Sequence, residues 1–99
     1  IDYGKLDYHF TAFIGILLTK SNRTQEVLKE LTTIPNVIEA SVISGKYNIF
    51  CKVKAKNTED AKRIIYQIDD IQDVMRTESM ISMQEYLSDK NRLIDAVSI

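Results

Sequence analysis

The chain has 99 residues, 44% hydrophobic and 27% charged, with 13 Lys and Arg against 14 Asp and Glu for a formal net charge of -1. That suffices for one buried core but not two. The interleaved charges exclude the unopposed basic surface that nucleic-acid phosphates require. Cys51 is the only cysteine, so there is no disulfide framework and the expected setting is cytoplasmic. The longest apolar run, Ala12 to Leu18, falls far short of the ~20 residues of a membrane helix. No signal peptide precedes it, so no membrane partner is expected. A start at Ile1 rather than Met leads to the expectation of a fragment or processed chain.

In chain order, Tyr8 to Lys20 is rich in aromatic and β-branched residues and predicts a strand. A helix follows from Ser21 or Asn22, either placed as its cap, with Val27, Leu28, Leu31 and Ile34 on one face. Pro35 and Asn36 end it. Val37 to Ser44 predicts a second strand, Gly45 a turn, and Tyr47 to Ala55 a third strand. A second helix opens at Asn57 or Thr58, with Glu59 and Asp60 in its first turn and Ile64, Ile65, Ile68 and Ile71 as its buried stripe. Val74 to Met83 predicts a fourth strand, and the tail Arg92 to Ile99 a further edge strand.

A shift of 37 residues superposes the halves: Phe10 on Tyr47, Phe13 on Phe50, Ile16 on Val53, Val27 on Ile64, Leu31 on Ile68 and Val37 on Val74. Two equivalent βαβ halves predict an α+β, ferredoxin-like βαββαβ sandwich, an antiparallel sheet with two helices on one face. Strand alternation turns Tyr47, Ile49, Cys51, Val53 and Ala55 toward the helices, and Asn48, Phe50, Lys52 and Lys54 away. In the first strand Phe13, Gly15 and Leu17 alternate with Ala12, Ile14, Ile16 and Leu18, so the uncovered face is apolar as well and calls for a cover. A second copy of the chain or the tail strand could supply it.

The residues offer little chemistry for an enzyme. His9 has no second His or Cys pair at ligand spacing, so no metal is expected. Cys51 lies on the core side of its strand, and the glycines stand alone, so neither a catalytic group nor a cofactor is expected. Asp69 and Asp70, like Glu59 and Asp60, stand at helix ends, where solvated carboxylates are routine. The third strand lacks the aromatic pattern of a single-strand RNA reader. What remains is the polar run Ser44, Gly45, Lys46, Tyr47 and Asn48, together with Thr77 and Ser79 two residues apart on one strand face. The run is either a connecting turn or part of a ligand site.

The runs "AFIGILL", "VLKELTTIPNVIEASVISGKYNIFCKVKAKNTEDAKRII", "VMRTESMIS" and "NRLI" together resemble the ligand-binding domain of the Lrp/AsnC (leucine-responsive regulator) family, also called RAM. The resemblance implies a linker-strand remnant over 1–8 and the domain over 9–99. It implies a homodimer formed through the sheet, with Phe13, Gly15, Leu17 and Phe50 at the interface, and assembly of dimers into octamers. It also implies a small effector, typically an amino acid, bound where dimers meet by Gly45, Lys46, Tyr47, Asn48, Thr77 and Ser79. DNA would be reached only through an N-terminal winged helix-turn-helix that this chain lacks. Asn48 stands where the family usually carries aspartate, and it cannot offset the charge of an ammonium. The expected role is non-enzymatic effector sensing in a transcription regulator, with an assembly module that binds no ligand as the alternative.

Overall fold

The computed structural model describes residues 8–82 together with Arg92. β1 (Phe10–Leu18), apolar on both faces, is an inner strand, paired antiparallel with β3 (Ile49–Ala55) on one side and β4 (Val74–Ile81) on the other. β2 (Val37–Val42) extends the sheet beyond β3, giving the order β2-β3-β1-β4. Helices α1 (Thr24–Leu31) and α2 (Thr58–Asp69) connect β1 to β2 and β3 to β4. The chain is therefore ferredoxin-like, as its repeat predicts.

One core holds the sheet to both helices. Ala12, Ile14, Ile16 and Leu18 of β1 and Ile49, Cys51, Val53 and Ala55 of β3 are buried with Val27 and Leu31 of α1 and Ala61, Ile64 and Ile68 of α2. Full burial of each large aliphatic side chain contributes roughly 1.5–3 kcal/mol before chain entropy is counted. The repeat-related pairs Val27/Ile64 and Leu31/Ile68 occupy equivalent buried places. The repeat-related Phe13 and Phe50 stack on each other on the opposite, helix-free face, with centroids 6.0 Å apart and planes 16° from parallel.

Local details differ from the sequence expectation. The expected cap at Ser21 or Asn22 is not made. A 3-10 turn (Ser21–Arg23) precedes α1, which starts after Arg23 with no side-chain cap, and Thr24 Oγ1 donates back to Ser21 O at 2.6 Å. α1 stops at Leu31, where Thr32 and Thr33 hydroxyls bond the carbonyls of Lys29 and Glu30 ahead of Pro35. α2 does carry an expected cap: Asn57 Oδ1 accepts from Asp60 N at 2.9 Å, and Asp60 Oδ2 accepts from Lys56 N at 3.0 Å. Strands β1 to β4 are each shorter than expected by a residue or more at one or both ends.

Of the tail expected as an edge strand only Arg92 is described, and it is helical. Of the expected linker strand over 1–8 only Tyr8 is described, and it lies outside any strand. The rest of both segments lies outside the described residues. No helix among the described residues is long and apolar enough to cross a membrane.

Candidate functional site

The β2–β3 connection is built around one left-handed residue. Gly45 has φ 120, where a β-carbon would be strained, and nothing lies within 4 Å of the place one would occupy. The backbone of this turn is thus open to close approach. Ile43 N donates to Asn48 O at 3.2 Å and closes the loop. Asn48 N donates to Ile16 O at 2.9 Å, and Asn48 Oδ1 accepts from Leu18 N at 2.9 Å. The amide oxygen serves as the last acceptor of the β1–β3 ladder, so the side chain lies along the sheet rather than standing away from it.

Tyr47 lies in the turn ahead of β3, outside the strand, and does not point to the helices as strict alternation predicts. Its ring lies on the helix-free face against Gly15, where an added β-carbon would stand 2.7 Å from three ring atoms. Gly15 pairs with Glu78 of β4, so the ring reaches across β1 and Tyr47 OH donates to Glu78 Oε2. Lys46 Nζ stands 3.4 Å from the same oxygen and 5.5 Å above the Tyr47 ring. Arg76 Nη2 donates to Glu78 Oε1 at 3.0 Å. The Tyr47 hydrogen bond, joined by the positive charges of Lys46 and Arg76, holds the Glu78 carboxyl below its ordinary pKa. The same bond holds the Tyr47 phenol above its own.

Thr77 and Ser79 pair with Ile16 and Ile14, two core residues of β1, and directly opposed residues share a face. The two hydroxyls are therefore on the helix-covered side of the edge strand β4. Thr77 Oγ1 is bonded to Asp69 Oδ1 at the end of α2, 2.7 Å away. Lys46 and Tyr47 lie on the other side. The structure brings Lys46, Tyr47 and Asn48 to one end of the sheet with Thr77 and Ser79, but on opposite faces. Phe13, Gly15, Leu17 and Phe50 lie together on the helix-free face, beside the half-exposed Met80.

Glu78 and Arg76 are the participants that sequence reading missed. The only signal was their alternation with Thr77 and Ser79, which puts them on the opposite face; the pairing of Glu78 with Gly15 is not written locally. Cys51 is fully buried, and burial pushes its thiol up to about 11, so it is no nucleophile at neutral pH. Among the described residues no group of three or more metal-ligating side chains converges. A hollow of about 550 Å³ lies where the helix ends meet the α2–β4 turn, but its cation is committed, Arg23 Nε donating to Asp73 Oδ2 at 2.9 Å.

A ferredoxin-like domain with an open glycine turn beside an apolar sheet face fits a non-enzymatic ligand-binding module, and comparison with known proteins gives the family. The family model described as Lrp/AsnC ligand binding domain matches residues 11–92. Regulatory protein AsnC of Haemophilus influenzae is 35% identical over 85 residues, which cover 85% of this chain and 57% of that protein. The structure of E. coli AsnC superimposes with TM-score 0.86 at 26% identity, covering 91% of this chain and 61% of that one. A feast or famine regulatory protein from M. tuberculosis, complexed with L-methionine, shares the fold with TM-score 0.79 at 19% identity, over 91% of this chain and 60% of that one. The chain belongs to the Lrp/AsnC ligand binding domain family, the non-enzymatic ligand-binding domains of transcription regulators. It spans about three fifths of the length of these relatives.

Proposed function

We propose that this domain is the effector-sensing and oligomerisation part of a transcription regulator, and that it binds an amino acid at the seam between dimers. A zwitterion needs N–H donors for its carboxylate and acceptors for its ammonium, in a place where water is excluded. The Gly45 turn offers exposed backbone, Lys46 a cation, and Thr77 and Ser79 hydroxyls. The observation that carries the reading is their split between faces: within one chain these groups do not line a common cavity, so a neighbouring copy must complete it. The bound L-methionine of the M. tuberculosis relative supports the choice of ligand class.

The helix-free face, with Phe13, Gly15, Leu17 and Phe50, is the proposed homodimer surface, and dimers associate further, to octamers. Effector acts by binding one assembly more tightly than another. DNA contact requires a separate winged helix-turn-helix.

Titration with the twenty L-amino acids, following melting temperature and mass, tests the proposal. A ligand at a hundred times its Kd adds ~2.7 kcal/mol, roughly 10–20 °C in melting temperature for a domain of this size. If none shifts either quantity at millimolar concentration, sensing is abandoned.

One observation favours the second reading, an assembly module without ligand: Asn48 has a structural task, its Oδ1 ending the β1–β3 ladder at Leu18 N. An aspartate would accept the same bond. On this reading Asn48→Asp folds normally and gains no affinity for any amino acid; a gain contradicts it.

A further inference from the structure

We propose that Glu78 is a built-in counter-anion of the effector loop, a specificity-determining residue that the acidic group of an effector must displace. The inference rests on the reading of this loop as an effector site and adds a residue from β4 to it. Three donors from two elements converge on one carboxylate: Tyr47 OH and Lys46 Nζ on Oε2, Arg76 Nη2 on Oε1. Glu78 is also the only acid paired with Lys46 or Arg76 among the described ion pairs. The contact is set by packing as well as by charge, because Gly15 leaves a seat for the Tyr47 ring and that seat aims the hydroxyl at Glu78.

Two cations and a hydroxyl are thus held ready for a carboxylate, and the chain's own carboxylate occupies them. An incoming acid competes with an intramolecular group. A lone carboxylate, which makes no further contact, therefore competes poorly, whereas a ligand whose second polar group is held elsewhere competes well. An amino acid meets that condition; acetate does not. Displacement also removes the hydrogen bond that ties Tyr47 OH to β4 on the helix-free face, so occupancy of the loop is communicated to that surface.

The test is calorimetric titration of acetate, the twenty L-amino acids and their amides into the wild-type chain, Glu78→Gln and Glu78→Asp. Glutamine keeps the shape and removes the charge on a partly exposed surface. Amino acids are expected to bind Glu78→Gln about five- to tenfold more tightly than wild type, the scale of two exposed ion pairs released. That gain should shrink with added salt, be absent for the amides, and be smaller for Glu78→Asp. Equal amino-acid affinity in wild type and Glu78→Gln overturns the counter-anion and leaves sensing intact. A gain shared by the amides also overturns it, since the loop has then merely loosened. Binding to Glu78→Gln alone establishes the counter-anion and removes sensing from the wild-type chain. No binding to any variant overturns both.

Discussion

At Gly15 the difference between hydrogen and methyl decides where an aromatic ring lies. A β-carbon there would stand 2.7 Å from the Tyr47 ring, with the β1 backbone behind it, so the ring must leave. Gly15→Ala is expected to cost roughly 1–3 kcal/mol, as overpacking does, seen as a lower melting temperature and a changed near-ultraviolet dichroism of tyrosine. The Tyr47–Glu78 bond has its own signature in pH. Glu78 is depressed in the folded chain, so its contribution is present above the unfolded carboxyl value of about 4.3 and lost as pH falls through the lower folded value. Tyr47 is raised, so its contribution is present below the unfolded phenol value of about 10 and lost as pH rises through the higher folded value. Urea midpoints of wild type and Tyr47→Phe should therefore differ most near neutrality and converge in strong acid and strong base. A constant difference across the range would detach the bond from stability.

The two helices show how far local sequence carries. Both offered cap residues, Ser21 or Asn22 for α1 and Asn57 or Thr58 for α2, and only Asn57 is used. Asn57→Ala is expected to lower stability by about 1 kcal/mol, whereas Ser21→Ala and Asn22→Ala should change it little, measured by urea denaturation. Asp60 sharpens the contrast. The Lys56 N–H and the Arg63 guanidinium depress its carboxyl, so its contribution is present at neutral pH and lost as acid protonates it, and Asp60→Asn should flatten that acid limb. Apolar spacing announced the buried faces of α1 and α2 because burial depends on period alone. Cap use depends on how the chain arrives, and the 3-10 turn before α1 has no sequence mark that separates it from a first helical turn. Tyr47 failed for a related reason: alternation holds only within a strand, and Tyr47 lies in the turn ahead of β3.

At the scale of the whole molecule the apolar stripe of β1 on its helix-free side was legible, because a strand apolar on both sides needs a cover on both. Phe13 and Phe50 are only partly covered there. On the proposed dimer, Phe13→Glu is expected to leave the far-ultraviolet dichroism unchanged and to shift sedimentation from dimer to monomer; an unchanged mass would remove the dimer surface from this face. Of the candidate site, the loop and the hydroxyls could be picked out by residue type. Their separation onto opposite faces, and the arrival of Glu78 beside Lys46, depend on the β1–β4 register, and nothing within either segment encodes it.

The stacked phenylalanines mark more than a contact. They are counterparts in the duplicated halves, and the strand order reads the same when those halves are exchanged, so a pseudo-dyad passes between them normal to the sheet. The side chains around that axis break its symmetry, because Gly15 and Leu17 of β1 have Lys52 and Lys54 of β3 as their counterparts. A twin laid on this surface therefore meets two docking poses half a revolution apart that differ in charge. Tyr47 adds to the difference, since its counterpart Phe10 packs against the core. The phenol seated in its glycine notch and the two lysines of β3 together tell one pose from the other.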